Sequence, residues 1–565
     1  MSAKYIFVTG GVLSGLGKGI VAASIGNLLK SRGYCVLAQK FDPYLNVDAG
    51  TLNPAEHGEC FVTADGAEAD LDLGHYERFL DTELTRDSSV MSGSIYQSVI
   101  EQERRGKYLG KTLQVIPHVT DEVKARLYGA AKRQRAQIVI AEIGGTVGDI
   151  ESPHFIEAIR QVALERPKDV AFVHLGFLPY LEASHEIKTK PIQNSVNDLR
   201  ERGIHPDLVI CRADQPVLQA HLDKVALFAG LPAQSVIPLA TLDTIYAAPL
   251  ELSKYKVDQL LLKRLGLKAG RVRLGQWRRL VKRIRRNHQR TVRIGVVGKY
   301  LTMTDTYFSV MEALRAASWT TVFHLEIEMI DGETLEKDLD HAQLERLDGI
   351  CVPGGFGKRG IEGLIKAIAL TRRRQIPYFG LCLGMQLAVI EFARAALGLK
   401  RANSTEFAAT KDPVIDLMSE QVKKMLESRL GGSMRLGSFL CELAAGSKAA
   451  SAYGKRRILE RHRHRYEFNN RYRQVFLRSG EWLFSGVNPE LGLVEIVELK
   501  SHPYFLGCQF HPEFKSRPNR PHPLFRSFLE AAVERAVLRE RSQAGGVVGG
   551  RLSLVPTRNR AGQTL

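Results

Sequence analysis

Twice along this chain a short β-branched run ends in glycine and opens an alternation of apolar, strand-like runs with helix-like stretches. Parallel strands need a crossover of about a dozen residues or more, usually a helix, so this spacing predicts mainly parallel sheets beneath covering helices. In the first block the apolar runs fall at 5–9, 35–39, 137–143, 171–177, 208–211 and 235–239. In the second they fall at 292–297, 323–330, 349–352, 377–381, 493–499 and 505–510. The expected fold class is α/β, with two doubly wound, mainly parallel-sheet domains over residues 1–266 and 292–535. A chain of 565 residues accommodates this at about 100–200 residues per domain. Residues 267–291 read as a basic linker, helical because Trp277, Leu280, Val281 and Ile284 recur at helical spacing. Residues 536–565, rich in Gly, Arg and Ser, read as a basic, disordered tail.

The first run leads into Gly10-Gly11-Val12-Leu13-Ser14-Gly15-Leu16-Gly17-Lys18-Gly19, and an alanine-rich helix begins near Ile20. Glycines let backbone N–H groups close around phosphate oxygens, the helix N-terminus adds partial positive charge, and Lys18 reaches the terminal phosphates. This nucleotide loop has one residue more than the usual Walker spacing, and Gly19 stands where Ser or Thr would hold magnesium. Carboxylates must then hold the cation, and the candidates are Glu142, closing an apolar run, and Asp72, in the acidic stretch 68–72. Lys40 and Asp42 follow the second strand at the same sheet edge. Lys188-Thr189-Lys190-Pro191, joined by Lys224, offers cations for a second polyphosphate.

In the second block Gly380-Leu381-Cys382-Leu383-Gly384 separates an apolar run from a helix-like stretch. Small residues two before and two after a nucleophile let a strand turn sharply and expose it. Phe510-His511-Pro512-Glu513 ends another strand-like run, and His511 and Glu513 at i, i+2 are expected on one side of it. Cys, His and Glu make a set in which the base raises the thiolate fraction and the acid orients the imidazole. Gly354-Gly355 is the candidate source of oxyanion-binding N–H groups.

An excess of 79 Lys and Arg over 61 Asp and Glu gives +18 at pH 7 and raises the question of a nucleic-acid partner. Eleven of these cations, with no Asp or Glu, lie between residues 268 and 293. No stacking aromatics accompany them, so a solvated basic helix face is expected there and nucleic acid is not expected as a partner. Seven cysteines without paired metal spacing predict reduced thiols. With no run of about 18 apolar residues and no signal-peptide pattern, a cytoplasmic protein without membrane contact is expected.

The Cys382 turn with its His-Pro-Glu resembles class I glutamine amidotransferases. Lys40-Phe41-Asp42-Pro43-Tyr44-Leu45-Asn46-Val47-Asp48, Asp70-Leu71-Asp72-Leu73-Gly74-His75-Tyr76-Glu77-Arg78-Phe79 and the stretches 10–19, 142–151 and 188–191 resemble the CTP synthase family, from about residue 5 to 532. The resemblance implies a P-loop amidoligase (synthase) domain and a flavodoxin-like glutaminase domain. It implies a ligase in which ATP phosphorylates O4 of UTP and ammonia from glutamine displaces that phosphate, the final step of de novo CTP synthesis. It also implies Mg2+, activation by GTP, feedback inhibition by CTP and a homotetramer.

Carried over by the resemblance, Gly15, Leu16, Gly17, Lys18, Gly19 and Ile20 hold ATP together with Lys40 and Asp72, and Asp72 and Glu142 bind magnesium. Ala240, Thr241 and Leu242 lie by the adenine, where the family usually has a Lys-Asp pair, so backbone contacts are expected. Ser14, Asp149, Ile150, Glu151, Lys188, Thr189, Lys190, Pro191, Ile192, Gln193 and Lys224 are expected to contact UTP or CTP. Cys382 forms a glutamyl thioester, with His511 as base then acid and Glu513 orienting it. Gly355, Leu383, Gly384, Met385, Gln386, Glu406 and Arg465 match glutamine-binding positions. Residues 416–429 read as a helix where relatives have a glycine turn and a basic strand, in the region through which the family's GTP activation runs. A cobyrinic-acid amidating synthetase shares the loop and the thiol logic but is disfavoured by 188–191 and 70–79. The intact catalytic set disfavours a silent paralogue.

Overall fold

A computed structural model describes residues 2–52, 54–299, 304–417 and 434–543. Strand Lys4–Gly10 is the middle of a seven-stranded sheet, ordered Val236–Ala240, Leu208–Ala213, Val170–Phe177, Lys4–Gly10, Ile138–Ile143, Val36–Asp42 and Ser89–Met91. Every pairing in it is parallel. Ile6 and Val8 pack under helix Lys18–Ser31 on one face, and Tyr5 and Phe7 under helices Thr120–Arg133 and Pro153–Glu165 on the other. Burial on both faces is why these strands read as unbroken apolar runs. The chain leaves Lys4–Gly10 toward both edges of the sheet, so the crevice at its C-terminal end is a switch point of the kind that receives ligands.

A nine-stranded sheet forms the second domain, in the order Phe323–Asp331, Arg290–Gly298, Gly349–Val352, Tyr378–Leu381, Phe505–Cys508, Val494–Leu499, Trp482–Val487, Arg435–Leu443 and Arg457–His464. The first five run parallel, and the rest are antiparallel. The three last-named strands escape the sequence reading. Arg457–His464 in particular is half Arg and Glu with two His besides, yet Glu460, Arg461, His462 and His464 are buried.

Their partners explain the burial, since several come from the other domain. Arg461 and Arg517 both donate to Glu77, Arg461 at 3.0 Å, and none of the three is more than 4% exposed. Phe61 sits edge-on to Phe514 at 5.0 Å, and Ser438 N donates to Ala64 O at 3.0 Å. Phe514 belongs to the core cluster of the first domain. Glu77→Gln leaves two buried guanidiniums with only the half-exposed Glu83 and Asp81, at 3.7 and 3.9 Å, as counter-ions. The expected loss is about 3–5 kcal/mol of stability, read as a lowered thermal midpoint of the whole chain.

The linker is helical only over Gly275–Ile284. Trp277, Leu280 and Val281 are buried in the first domain's core, and the Trp277 indole donates to Tyr246 O at 2.7 Å. The tail expectation is corrected: helix Pro523–Gln543 continues past residue 536, Ala536 is fully buried, and Arg539 pairs with Asp348 at 3.0 Å. An apolar stripe hidden among arginines was the signal overlooked. Residues 544–565 lie outside the described residues. The helix expected at 416–429 is also corrected at its start, because Asp416 and Leu417 end strand Asp412–Leu417, paired with Tyr466–Phe468; residues 418–429 lie outside the described residues.

Candidate active sites

The phosphate loop leaves Lys4–Gly10 through Val12, Gly15 and Gly17, all at positive φ, and enters the helix at Lys18. A Cβ on Gly11 would lie 1.5 Å from Ser195 Oγ, so glycine is obligatory there. Beneath the loop runs a buried polar line absent from the sequence reading: Thr9 Oγ1 meets His174 Nδ1 at 2.9 Å, and His174 Nε2 meets Ser195 Oγ at 2.8 Å. Burial, with a smaller push from Lys18, lowers the His174 pKa to about 3, so the ring is neutral beneath the phosphate loop. Lys18 Nζ donates to Gly145 O at 2.8 Å, tying the loop to 142–151.

Gly19 has a specific neighbour. A Cβ there would lie 2.0 Å from Asp72 Oδ1. The Asp72 carboxylate thus takes up the space beside the loop into which a Ser or Thr side chain would project. Lys40 sits within 4 Å of four carboxylates: Glu142 at 3.2 Å, Asp42 at 3.7 Å, Asp70 at 3.8 Å, and Asp72, to which it donates a hydrogen bond. Burial pulls the Lys40 pKa down, but Asp72, Glu142, Asp42 and Asp70 outweigh it and hold the ammonium well above its usual range. Burial dominates for Asp42 and Glu142, raising both, whereas Asp72 is held low, burial being outweighed by Lys40, His75 and Lys18. Tyr76, part of the 70–79 stretch but given no role from the sequence, donates its hydroxyl to Glu142.

Among the described residues no three His, Cys, Asp or Glu side chains converge as a metal site. A pair of carboxylates still fits a hard cation that completes its shell with phosphate oxygens and water.

The other predicted nucleotide residues divide by exposure. Ser14, Ile150, Glu151, Lys190 and Lys224 are exposed, whereas Thr189, Ile192 and Gln193 are buried. Ile192 is fully buried in an apolar cluster, against Gly176, so its side chain serves packing. Gln193 Nε2 donates to Thr189 Oγ1 at 3.0 Å, Lys188 pairs with Glu186, and Asp149 accepts from Thr146 N at 2.8 Å. At 240–242 Thr241 donates to Asp214 at 2.8 Å and its N–H to Ala213 O at 3.0 Å, which holds this stretch against the neighbouring strand end.

In the second domain Cys382 has φ 48° and ψ −97°, a strained turn between strand Tyr378–Leu381 and helix Leu383–Ala395. Crowding explains the flanking glycines: a Cβ on Gly380 would meet Gly384 C at 2.7 Å, and one on Gly384 would meet Val352 O at 2.2 Å. His511 Nδ1 lies 2.7 Å from Glu513 Oε1. The strand itself ends at Cys508, and Glu513 sits in the turn Pro512–Lys515, so a turn brings the pair together where strand alternation was expected to. Burial lowers the His511 pKa, but the charges of Glu513 and Cys382 and the hydrogen bond to Glu513 raise it to about 10. The imidazolium form therefore faces the thiol at neutral pH. Gln509 Nε2 donates to Cys382 Sγ at 3.5 Å.

A cavity of about 460 Å³ opens on Cys382. Gly354, Gly355, Gln386, Glu406, Arg465, His511 and Glu513 line it, whereas Leu383, Gly384 and Met385 lie behind it, Met385 against Gly507. Glu406 accepts from Gly357 N at 2.7 Å. Lys299, which the sequence reading missed, donates to Phe356 O at 3.2 Å and to Gly357 O, and burial lowers its pKa to about 8. Its signal was modest, a lone lysine after the strand Arg290–Gly298. Lys299→Met should loosen the 354–357 loop, read as an about tenfold weaker apparent affinity for the ligand of the Cys382 cavity, with the chemistry of the first domain's centre unchanged in a side-by-side assay.

Gly50, Glu59 and Cys60 of the first domain complete the cavity wall. Glu59 accepts from Ser309 N at 3.2 Å and from its hydroxyl, and burial pushes its pKa to about 8 against the Ser309 hydrogen bond. Arg463 holds the domains together at this point: its Nε donates to Glu68 Oε1 at 2.7 Å, and its carbonyl accepts the Cys382 thiol at 3.8 Å. Among the described residues no helix is long and apolar enough to cross a membrane.

Comparison with known proteins bears on both centres. A family model described as CTP synthase N-terminus matches residues 4–267, and one described as glutamine amidotransferase class-I matches 302–531. A CTP synthase of Caldanaerobacter subterraneus subsp. tengcongensis is 54% identical over 536 residues, 94% of this chain and 98% of that one. One from Herpetosiphon aurantiacus is 54% identical over 533 residues, 94% and 99% of the two chains. A solved glutaminase domain of Trypanosoma brucei CTPS with bound acivicin is 40% identical, covering 43% of this chain and 94% of that one, with a TM-score of 0.41. With such identity across nearly its full length, the chain belongs to the CTP synthase family, glutamine-hydrolysing ligases that use ATP to aminate UTP to CTP.

Proposed function

We propose that the two centres divide this reaction between them. At the sheet edge of the first domain, Gly15 to Ile20 with Lys18 and Lys40 bind and orient the phosphates of ATP. Asp72 and Glu142 would hold Mg2+, which when bound supplies charge neutralisation for phosphoryl transfer. Lys188 to Gln193, Asp149 to Glu151, Ser14 and Lys224 receive UTP, with Ile192 contributing backbone and packing only. Phosphorylation at O4 makes a leaving group of an otherwise poor one, and Lys18 and Lys40 stabilise the developing charge.

In the second domain Glu406 and Arg465 grip the polar ends of glutamine. The Cys382 thiolate attacks the carboxamide carbon, and the N–H groups of Gly355 and of the residue after the nucleophile donate to the oxyanion. The His511 imidazolium protonates the departing ammonia, and its neutral form then draws a proton from the water that opens the thioester. Glu513 keeps Nδ1 protonated through both halves.

The observation that carries this reading is the composite cavity. Gly50, Glu59 and Cys60 face the reactive thiol, so ammonia is released against the synthase domain, and hydrolysis is matched to the site that consumes it. We further read the enzyme as GTP-activated, CTP-inhibited, tetrameric and cytoplasmic, following its family. Incubation with UTP, ATP, Mg2+ and glutamine, with and without GTP, and chromatographic measurement of CTP tests the reaction. CTP should appear only with ATP and Mg2+ and rise with GTP; its absence from both glutamine and ammonia would overturn the assignment. Sedimentation with ATP and UTP present should give a species four times the monomer mass.

A further inference from the structure

The linker helix Gly275–Ile284 presents a face that the reaction does not use. Trp277, Leu280 and Val281 are buried against the first domain, which leaves Arg278, Arg279 and Lys282 exposed on the opposite side and Arg283 at the boundary. Arg286 is exposed just beyond the helix, and Lys268, Arg271 and Arg273 are exposed before it. Residues three, four and seven apart lie on one row, so Arg279, Arg283 and Arg286 form one line and Arg278, Lys282 and Arg285 another. Of these lines only Arg285 has a carboxylate, Asp243, at 2.7 Å; among the described residues the other cations named have none within 4 Å.

Such a face is unusual in how it treats its own charge. Acids at i, i+4 offset the cations of a helix surface where they are present, and here no Asp or Glu occurs from 268 to 293. Arg283 is the crowded member: its Nε is buried with no hydrogen-bond partner, and burial with the charges of Arg286 and Arg279 lowers its pKa. Three neighbouring guanidiniums with no carboxylate among them leave a local excess of positive charge. Packing against Tyr246 and the core fixes the helix, so the repulsion is not relieved by the backbone moving away.

We propose that this face binds the phosphate backbone of a nucleic acid without regard to base sequence. A row of cations one helical turn, about 5.4 Å, apart lets each engage its own phosphate of a flexible strand. The missing aromatics that set nucleic acid aside on the sequence alone bear only on base reading: no exposed ring lies on the helix, so bases are not stacked or read, and the salt-dependent phosphate contacts remain. A bilayer surface suits the face less well, because its apolar stripe is already buried and nothing remains to insert.

The test uses the full chain and a fluorescein-labelled 20-residue oligouridylate, followed by anisotropy. Micromolar binding is expected at about 50 mM KCl, weakened at least tenfold at about 200 mM. The combined variant Arg278→Glu, Arg279→Glu, Lys282→Glu, Arg286→Glu should weaken it a further tenfold or more, while CTP formation stays within about twofold and reports the fold intact. The milder set of four Gln substitutions should fall between the two. Excess ATP with Mg2+ should leave the bound oligomer in place. The proposal is overturned if the oligomer does not bind, if ATP displaces it, if the four-site variants bind as well as the parent, or if vesicles of phosphatidylcholine with phosphatidylserine bind where the oligomer does not.

Discussion

Cys382→Ala should abolish the use of glutamine and leave ammonia-dependent CTP synthesis within about threefold of the parent. Loss of a covalent nucleophile removes the thioester route altogether, and comparable substitutions in triad enzymes cost about 10⁴-fold or more in turnover. Alanine fits the site without harm: Cys382 is 6% exposed, and the smaller side chain adds no contact to the strained turn. The thermal midpoint should therefore stay close to the parent's. Nothing in the acidic cluster around Lys40 changes, so supplied ammonia still meets activated UTP. Coupled assays of CTP from glutamine and from ammonium chloride, run on one preparation, check this; equal loss from both nitrogen sources would mean that the centres are not separable in the way proposed.

The opposite substitution is Lys40→Met. CTP formation from both glutamine and ammonia should drop by about 10²–10⁴-fold, whereas basal glutamate release at Cys382 persists. Stability should suffer too, because the ammonium within 4 Å of Asp42, Asp70, Asp72 and Glu142 is their common counter-charge. Stripping it from a buried cluster is expected to cost about 3–5 kcal/mol near neutral pH. The pH dependence has a definite sign. Asp42, Asp70 and Glu142 are already raised above the usual carboxylate range, chiefly by burial, and losing Lys40 raises them further. Groups with raised folded pKa values keep the fold stable when protonated and lose that contribution as pH rises through them. The difference in thermal midpoint between parent and variant should thus be small near about pH 5 and widen toward about pH 8. A constant difference across that range would show that the carboxylates do not share Lys40's charge.

Much of this was legible beforehand, and the reasons differ from place to place. The strands flanking both nucleotide loop and nucleophile are buried on both faces, so their sequences are continuous apolar runs that stand out without any knowledge of partners. Gly10–Gly19 and Gly380–Gly384 were readable because glycine is required there for local reasons: Gly15 and Gly17 sit at positive φ, Gly11 and Gly19 press on the Ser195 and Asp72 side chains, and Gly380 and Gly384 press on backbone, so a cluster of glycines survives in the sequence as the trace. Strands Arg435–Leu443 and Arg457–His464 were not readable, since their buried charges are paid for by Glu77, Glu495 and Glu68, which lie far away in the chain. The same holds for Lys299 and His174, single residues whose roles depend on what stands opposite them.

By itself the sequence determined the two α/β blocks, the phosphate loop, the thiol with its His and Glu, and the charge of the linker, because each rests on local spacing or on residue type. The tertiary structure alone decided that the linker's apolar stripe belongs to the first core and that Lys40 is shared by four acids. It also decided that Ile192 packs inward and that Gly50, Glu59 and Cys60 close the glutaminase cavity. Those outcomes depend on groups brought together from distant parts of the chain, and the free energy of a buried charge or a shared wall is set by its neighbours in space rather than its neighbours in sequence.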